Sequence, residues 1–120
     1  MEHILNAIEP SYVTISGVTV PLLFTMRAAA EMERELDMPY VSIISELLAV
    51  GEDGKDLPPM RWDRQAAVIA CMIRAGGKQV TASDLMDAVH MNDAQELANA
   101  AIAEIMRKQP KGKAGSEKNG

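Results

Sequence analysis

The stretch of sequence that decides the fold class lies between residues 12 and 36 and reads YVTISGVTVPLLFTMRAAAEMEREL. Its first half holds two β-rich runs on either side of Ser16 and Gly17, a connection short enough for a tight hairpin turn. Pro21 lacks the amide hydrogen that a ladder bond needs, so we expect it at a sheet edge or a bulge. The first half of the stretch therefore predicts a small hairpin at the periphery of a helical body.

The second half of this stretch and the residues after it predict two helices. Thr25 is suited to cap the first helix, whose apolar stripe and acidic face extend to Asp37. The residue before a proline disfavours helical geometry, so Pro39 should separate the two helices. The second helix, over residues 40–50, is apolar on most sides. A helix of that kind is either deeply buried or has half of its surface against a partner.

Three more helices are expected beyond a Gly- and Pro-rich loop. They cover residues 60–75, 82–89 and 93–108. A glycine pair beginning at Gly76 ends the first of them. Thr81 and Asp84 form a variant capping arrangement in front of the second. Asn92 and Asp93 are the expected caps of the third.

The predicted fold is α+β and predominantly α, with about five helices and a small N-terminal β-hairpin. At 120 residues the chain is long enough to bury one core and too short for two. We expect an N-terminal arm at residues 1–11 and a single helical domain at residues 12–109. Pro110 stops the last helix, and the residues after it contain no apolar residue larger than alanine, so residues 110–120 are predicted to form a disordered C-terminal tail.

Composition narrows the classes of protein to which the chain belongs. Aromatic residues make up 3% of it, so the core must be built from aliphatic side chains and from the nine methionines. A net charge of -5 argues against a nucleic-acid binder, because phosphate neutralisation needs a concentrated basic surface. No apolar run reaches the roughly 18 residues of a membrane span, and the N-terminus lacks a signal-peptide pattern. We therefore expect a cytoplasmic protein without membrane or nucleic-acid partners.

The residue types that carry catalysis and metal binding are few and are poorly placed for either. His3 and His90 lack the spacing of a ligand pair, and a surface or capping role suits them better. Cys71 lies within an apolar helical stretch, which favours an inert core thiol over a nucleophile. The acidic loop around Asp53 does not match the ligand spacing of an EF-hand. We expect no catalytic residues, no metal site and no cofactor, and hence no enzyme.

The second predicted helix is the candidate partner-binding site. It is about two to three turns long and is followed by a polar loop, so part of its apolar surface should remain accessible. The candidate contact residues are Ile43, Ile44, Leu47, Leu48 and Val50. The acidic face of the first helix is expected to stay solvated or to steer a basic partner.

Short motifs along most of the chain resemble a known family. They are residues 16–17 (SG) at the hairpin turn, 24–27 (FTMR) at the start of the first helix, 31–36 (EMEREL) within it, 72–76 (MIRAG) at a later helix end and 80–89 (VTASDLMDAV) after it. In this order they resemble the tail assembly chaperones of long-tailed, siphovirus-like bacteriophages and prophages. The motifs are packing and turn signals and not a chemical signature.

The resemblance implies a non-catalytic chaperone that coats the tape measure protein, recruits tail tube subunits and leaves before the virion is complete. It would act in the bacterial host cytoplasm. Coating a rod with many small copies requires each copy to touch its neighbour, which favours head-to-tail homo-oligomers. The alternative is a generic helical adaptor or regulator. One version of it touches DNA through basic residues near the C-terminus, although we expect no such binding. These residues are Arg107, Lys108, Lys111, Lys113 and Lys118.

Overall fold

The chain forms an N-terminal β-hairpin followed by five helices, in a computed structural model that describes residues 8–51 and 53–107. The elements are β1 (Ser11–Ile15), β2 (Val18–Leu22), α1 (Met26–Leu36), α2 (Tyr40–Leu48), α3 (Trp62–Ala75), α4 (Ala82–Ala88) and α5 (Met91–Met106). The predicted α+β, mainly helical fold is confirmed. The first seven residues of the expected arm and the whole expected tail lie outside the described residues. None of the described helices is long and apolar enough to cross a membrane.

The hairpin forms where the sequence predicts it, with its two strands antiparallel and Val13 opposite Val20. Ser16 and Gly17 have φ angles of 53° and 79°. Positive φ at both central residues is the conformation of a tight hairpin turn whose twist matches the strands, and glycine adopts it without strain. Pro21 lies in β2, in a sheet of two strands where each strand is an edge, as expected.

The third helix, α3, lies at the centre of the fold. Every residue from 66 to 73 is buried, and α1, α4, α5 and β2 pack against it. The surrounding core is aliphatic, with Leu22, Met32 and Met72 fully enclosed. Flexible methionine side chains fill space that aromatic rings occupy in many other cores.

The end of α3 is held directly against β2. Leu23 donates its backbone N–H to the carbonyl oxygen of Met72 at 3.1 Å. A Cβ placed on Gly76 would lie 2.7 Å from the Cβ of Pro21, closer than side-chain atoms pack. Glycine at this position therefore allows the close approach of the hairpin. The helix ends at the glycine pair, as predicted, and Gly77 has the positive φ of 110° that glycine adopts without strain.

The caps of α4 and α5 differ in how closely they follow the prediction. Thr81 and Asp84 form the expected capping box. The Asp84 carboxylate accepts the Thr81 N–H at 2.9 Å, and the Thr81 hydroxyl accepts the Asp84 N–H at 3.0 Å. The helix α5 is present, but its predicted cap at Asn92 and Asp93 was wrong. The cap is His90, whose Nδ1 accepts the Asn92 N–H at 3.0 Å. Asp93 instead accepts a hydrogen bond from the serine hydroxyl at the hairpin turn. This contact ties the start of α5 to the hairpin.

A buried carboxylate, Glu104 of α5, joins the hairpin to α5 and to the segment before α1. Only 2% of the residue is exposed. Its Oε1 accepts the Ser11 hydroxyl at 2.5 Å, and its Oε2 accepts the Phe24 N–H at 3.3 Å. The Nε of Arg107 lies 3.1 Å from Oε1, and Arg107 also donates to the carbonyl oxygen of Glu9. The carboxylate thus has the partners that a buried charge requires.

We expect Glu104→Ala to lower the free energy of unfolding by about 3 kcal/mol, because Arg107 and the Phe24 N–H lose their acceptor. Urea denaturation measures the loss. The control is Glu96→Ala, an exposed position on the same helix, where a change within about 0.5 kcal/mol is expected. Equal losses in the two variants would contradict a structural role for the buried carboxylate.

Candidate functional site

Part of the acidic face of α1 is engaged within the fold, while Glu35 and Asp37 remain exposed. The expectation that this face stays solvated is therefore corrected only in part. The Nη2 of Arg74 lies 3.2 Å from Oε1 of Glu31 and 2.8 Å from Oε2 of Glu35. Glu33 accepts the backbone N–H of Tyr40 at 2.9 Å, at the start of α2. These carboxylates orient α1 against α3 and α2, so they are poorly placed to steer a partner.

The thiol and imidazole groups occupy structural positions. His90 caps α5 through its Nδ1, as one of the two roles predicted for it. Cys71 is fully buried in α3, and burial, with the nearby carboxylates of Glu35 and Glu31, raises the pKa of its thiol from 9.0 to about 11. A thiol that holds its proton this strongly is a poor nucleophile at neutral pH. Within residues 8–51 and 53–107, no three His, Cys, Asp or Glu side chains are grouped to hold a metal ion.

A hollow of about 240 Å³ lies between the hairpin and α4. Its lining is mostly aliphatic, and its titratable residues are Lys78 and Asp84. The Asp84 carboxylate is already bound to the Thr81 N–H in the capping box of α4. The hollow therefore offers apolar space with one lysine and one carboxylate that is already hydrogen-bonded, and not a converging set of reactive groups.

The predicted partner-binding residues of α2 divide between the core and the surface. Ile43 and Leu47 are buried, so they anchor α2 and cannot themselves touch a partner. This corrects the candidate contact set at those two positions. Leu48 and Val50 are exposed and Ile44 is half-buried, so these three remain available for contact.

The accessible side of α2 extends to two residues that sequence reasoning missed. Tyr40 and Val41, in the first turn, are both exposed. Helical spacing places positions 40, 41, 44 and 48 on one side of the helix, and we call Tyr40, Val41, Ile44 and Leu48 the α2 ridge. The sequence could not separate this side from the buried one, because α2 is apolar on nearly every side.

A second apolar surface lies where α3, α4 and α5 meet. Trp62, Met86 and Met91 are exposed around it, and its lining is completed by Ala66, Ile69, Leu85, Val89, Ala94, Leu97 and the polar Gln65. We call this surface the three-helix groove. Its hollow of about 110 Å³ is somewhat smaller than a cavity of roughly 150 Å³ that holds benzene, and suits one aliphatic side chain.

The three-helix groove was not predicted from the sequence, although its signal is present there. Met86 and Met91 lie on either side of the short turn between α4 and α5, and one turn can bring them to the same edge. Methionine suits a core short of aromatic rings as well as an adaptable contact surface. The sequence favoured the first role, and for these two residues the structure shows an exposed position.

Comparison of the chain with family models, curated proteins and solved structures finds no match in any of the three. The function must therefore be argued from the two apolar surfaces and from the charges around them.

Replacing the neighbouring leucines of α2 should separate its two sides. Leu47 is 9% exposed and Leu48 is 37% exposed. We expect Leu47→Ala to cost about 2–4 kcal/mol of unfolding free energy through the cavity it leaves, and Leu48→Ala less than about 1 kcal/mol. Urea denaturation of both variants measures the difference. A greater loss in the Leu48 variant would show that the buried side of α2 has been assigned wrongly.

Ionisation of Cys71 should weaken the fold at high pH. Because the thiol pKa is about 11 in the folded chain and 9.0 in its ordinary state, the unfolded chain releases its proton first. The contribution to stability is fully present below pH 9 and is lost as the pH rises toward 11. The unfolding free energy of Cys71→Ala should therefore fall less steeply over this range, measured by urea denaturation at each pH. If the unfolding free energies of the wild type and of Cys71→Ala fall equally with pH, the raised pKa of the thiol is contradicted.

Proposed function

We propose that the chain is a non-catalytic tail assembly chaperone of a long-tailed bacteriophage or prophage. In this role it binds the tape measure protein and assists assembly of the tail tube in the bacterial host cytoplasm. The observation that carries the proposal is the three-helix groove, a concave and methionine-rich apolar surface on a small helical domain. Amphipathic helices bind to grooves of this kind by inserting apolar side chains at helical spacing.

The three-helix groove is better shaped to hold a partner helix than the α2 ridge is. A helix-binding site needs walls on both sides of its ligand, and α3, α4 and α5 together provide them. The α2 ridge itself comes from one helix, and the hollow of about 400 Å³ between its Tyr40 and α1 includes the charged Glu33 in its lining. We therefore assign helix binding to the groove, and not to the α2 residues that the sequence favoured.

The residues at the edge of the groove suit a helical partner whose apolar side chains recur along its length. The hollow takes one anchoring side chain, while Trp62, Met86 and Met91 would cover the sides of the bound helix. Aromatic and methionine side chains are enriched in the buried centres of protein interfaces, and tryptophan is frequent among the residues that contribute most to binding. Methionine also repacks around anchors of different shape. A long helical rod with recurring apolar positions could therefore engage one copy of the chain after another.

The alternative function, a helical adaptor or regulator, would use the same groove for an unrelated helix. Its DNA-binding version gains little support from Arg107, the one described member of the basic C-terminal set, because that guanidinium is bound to Glu104. The identity of the helical partner separates the chaperone from the adaptor.

The fluorescence of Trp62 should report binding directly, because it is the single tryptophan of the chain and is 41% exposed beside the groove. We expect helical fragments of the tape measure protein from the same phage genome to shift its emission to shorter wavelength. Met86→Glu and Met91→Glu should each weaken this binding roughly tenfold or more, because a charge replaces an apolar contact.

The matched control is Met106→Glu, an equally exposed methionine outside the groove lining, which should bind normally. Equal binding by all three variants would reject the groove as the site. If wild-type protein binds other amphipathic helices as tightly as tape measure fragments, the adaptor replaces the chaperone.

A further inference from the structure

The two methionines at the edge of the three-helix groove are open to solvent. Met86 is 50% exposed and Met91 is 59% exposed, and they lie on either side of the turn that joins α4 to α5. Two further described methionines, Met26 and Met106, are at least as open but lie outside the lining of the groove. Three others are buried in the core, namely Met32, Met60 and Met72. The groove thus presents to water a group that most of the core keeps away from it.

A methionine thioether is readily oxidised by peroxides. A bond forms between the sulfur and one peroxide oxygen, the O–O bond breaks, and the other oxygen leaves as water. The sulfur loses two electrons, which the peroxide gains. Because the peroxide arrives from solvent, Met86 and Met91 should react long before the buried methionines. Cys71, the other sulfur of the core, is fully buried as well and should not compete.

Oxidation would change the chemistry of the groove, because a sulfoxide is polar where the thioether was apolar. In the free protein the sulfoxide oxygen would be hydrogen-bonded to water, and a helix that covers Met86 and Met91 would displace that water. The lining offers few side-chain donors in exchange. Gln65 already donates its amide N–H to the carbonyl oxygen of Met60 at 2.7 Å, and the other donor is the indole N–H of Trp62. Covering two sulfoxides would therefore carry a desolvation penalty that covering two thioethers does not.

From these observations we infer that Met86 and Met91 form an oxidation site that controls the three-helix groove. Peroxide converts both residues to sulfoxides, and the oxidised groove releases its helical partner. This role rests on the helix binding proposed for the groove and adds a condition under which binding ends. Methionine sulfoxide reductases return the sulfoxide to the thioether, so the release is reversible.

Mass spectrometry of the folded full chain tests the site. Hydrogen peroxide should oxidise Met86 and Met91 as early as Met26 and Met106, and before the buried methionines. A bound helical fragment of the tape measure protein should protect Met86 and Met91 from the peroxide and leave Met106 reactive. Oxidation of Met86 and Met91 as slow as that of the core methionines overturns the inference, and so does a bound fragment that protects neither of them.

Calorimetric titration with the same fragment tests the consequence. Peroxide treatment should weaken binding by the wild-type protein tenfold or more, and treatment with methionine sulfoxide reductases should restore it. Each variant is compared with its own untreated sample. The double variant Met86→Leu and Met91→Leu should have the same affinity before and after peroxide. The matched control, Met26→Leu and Met106→Leu, should lose binding as the wild type does. Circular dichroism checks that the treated proteins stay folded.

The outcomes separate this oxidation site from the proposed function. If peroxide oxidises Met86 and Met91 and the affinity of the wild type is unchanged, the inference is overturned while helix binding by the groove stands. An equal loss in the double variant Met86→Leu and Met91→Leu assigns the effect to another residue and also overturns it. If the untreated wild type binds no helix, the proposed function fails, and the control of the groove by oxidation fails with it.

Discussion

Residues 66–73 of α3 are all buried. The positions of the hairpin and of the helices that pack on α3 therefore depend on this helix. A helix buried on every side needs cover in all directions, and each valine, isoleucine or methionine side chain that it buries contributes about 1.5–3 kcal/mol. The cover comes from α1, α4, α5 and β2, whose apolar faces are used for this purpose. By contrast, α2 packs chiefly on α1. The outer side of α2 is left without cover because the other elements pack on α3, and not because the sequence of α2 is less apolar.

Polar side chains determine how the covering elements are oriented, since hydrophobic burial has no preferred direction. Arg74 illustrates this role. It binds Glu31 and Glu35 of α1 and donates to the carbonyl oxygen of Val80 at 2.8 Å, which fixes α1 and the segment before α4 against α3. Glu104 does the same for the hairpin. Hydrogen bonds from partly buried side chains thus select one arrangement among several that would cover α3 equally well.

The features that sequence reasoning predicted correctly depend on neighbouring residues. The Thr25 cap, the turn at Ser16 and Gly17, and the capping box at Thr81 each involve residues within three or four positions. Their physical basis is local, so one sequence is sufficient to recognise them. The order of the hairpin and the five helices followed from signals of this type.

The features that the sequence did not predict depend on distant residues. Ser11 and Glu104 are 93 positions apart, and Arg74 and Glu31 are 43 apart. An acidic helix face looks the same in a sequence whether it meets water or an arginine from another element. The candidate site shows the same limit: the buried side of α2 and the groove between three helices are consequences of packing, and periodicity alone does not contain them.

The two apolar surfaces differ in shape, and the difference decides what each can hold. The α2 ridge comes from one helix and offers a single face, while the three-helix groove is concave and is lined by residues of three helices. The hollow of the groove has room for one anchoring side chain. The strength of binding to a helix would therefore depend on how well Trp62, Met86 and Met91, which are exposed around the hollow, cover the sides of that helix.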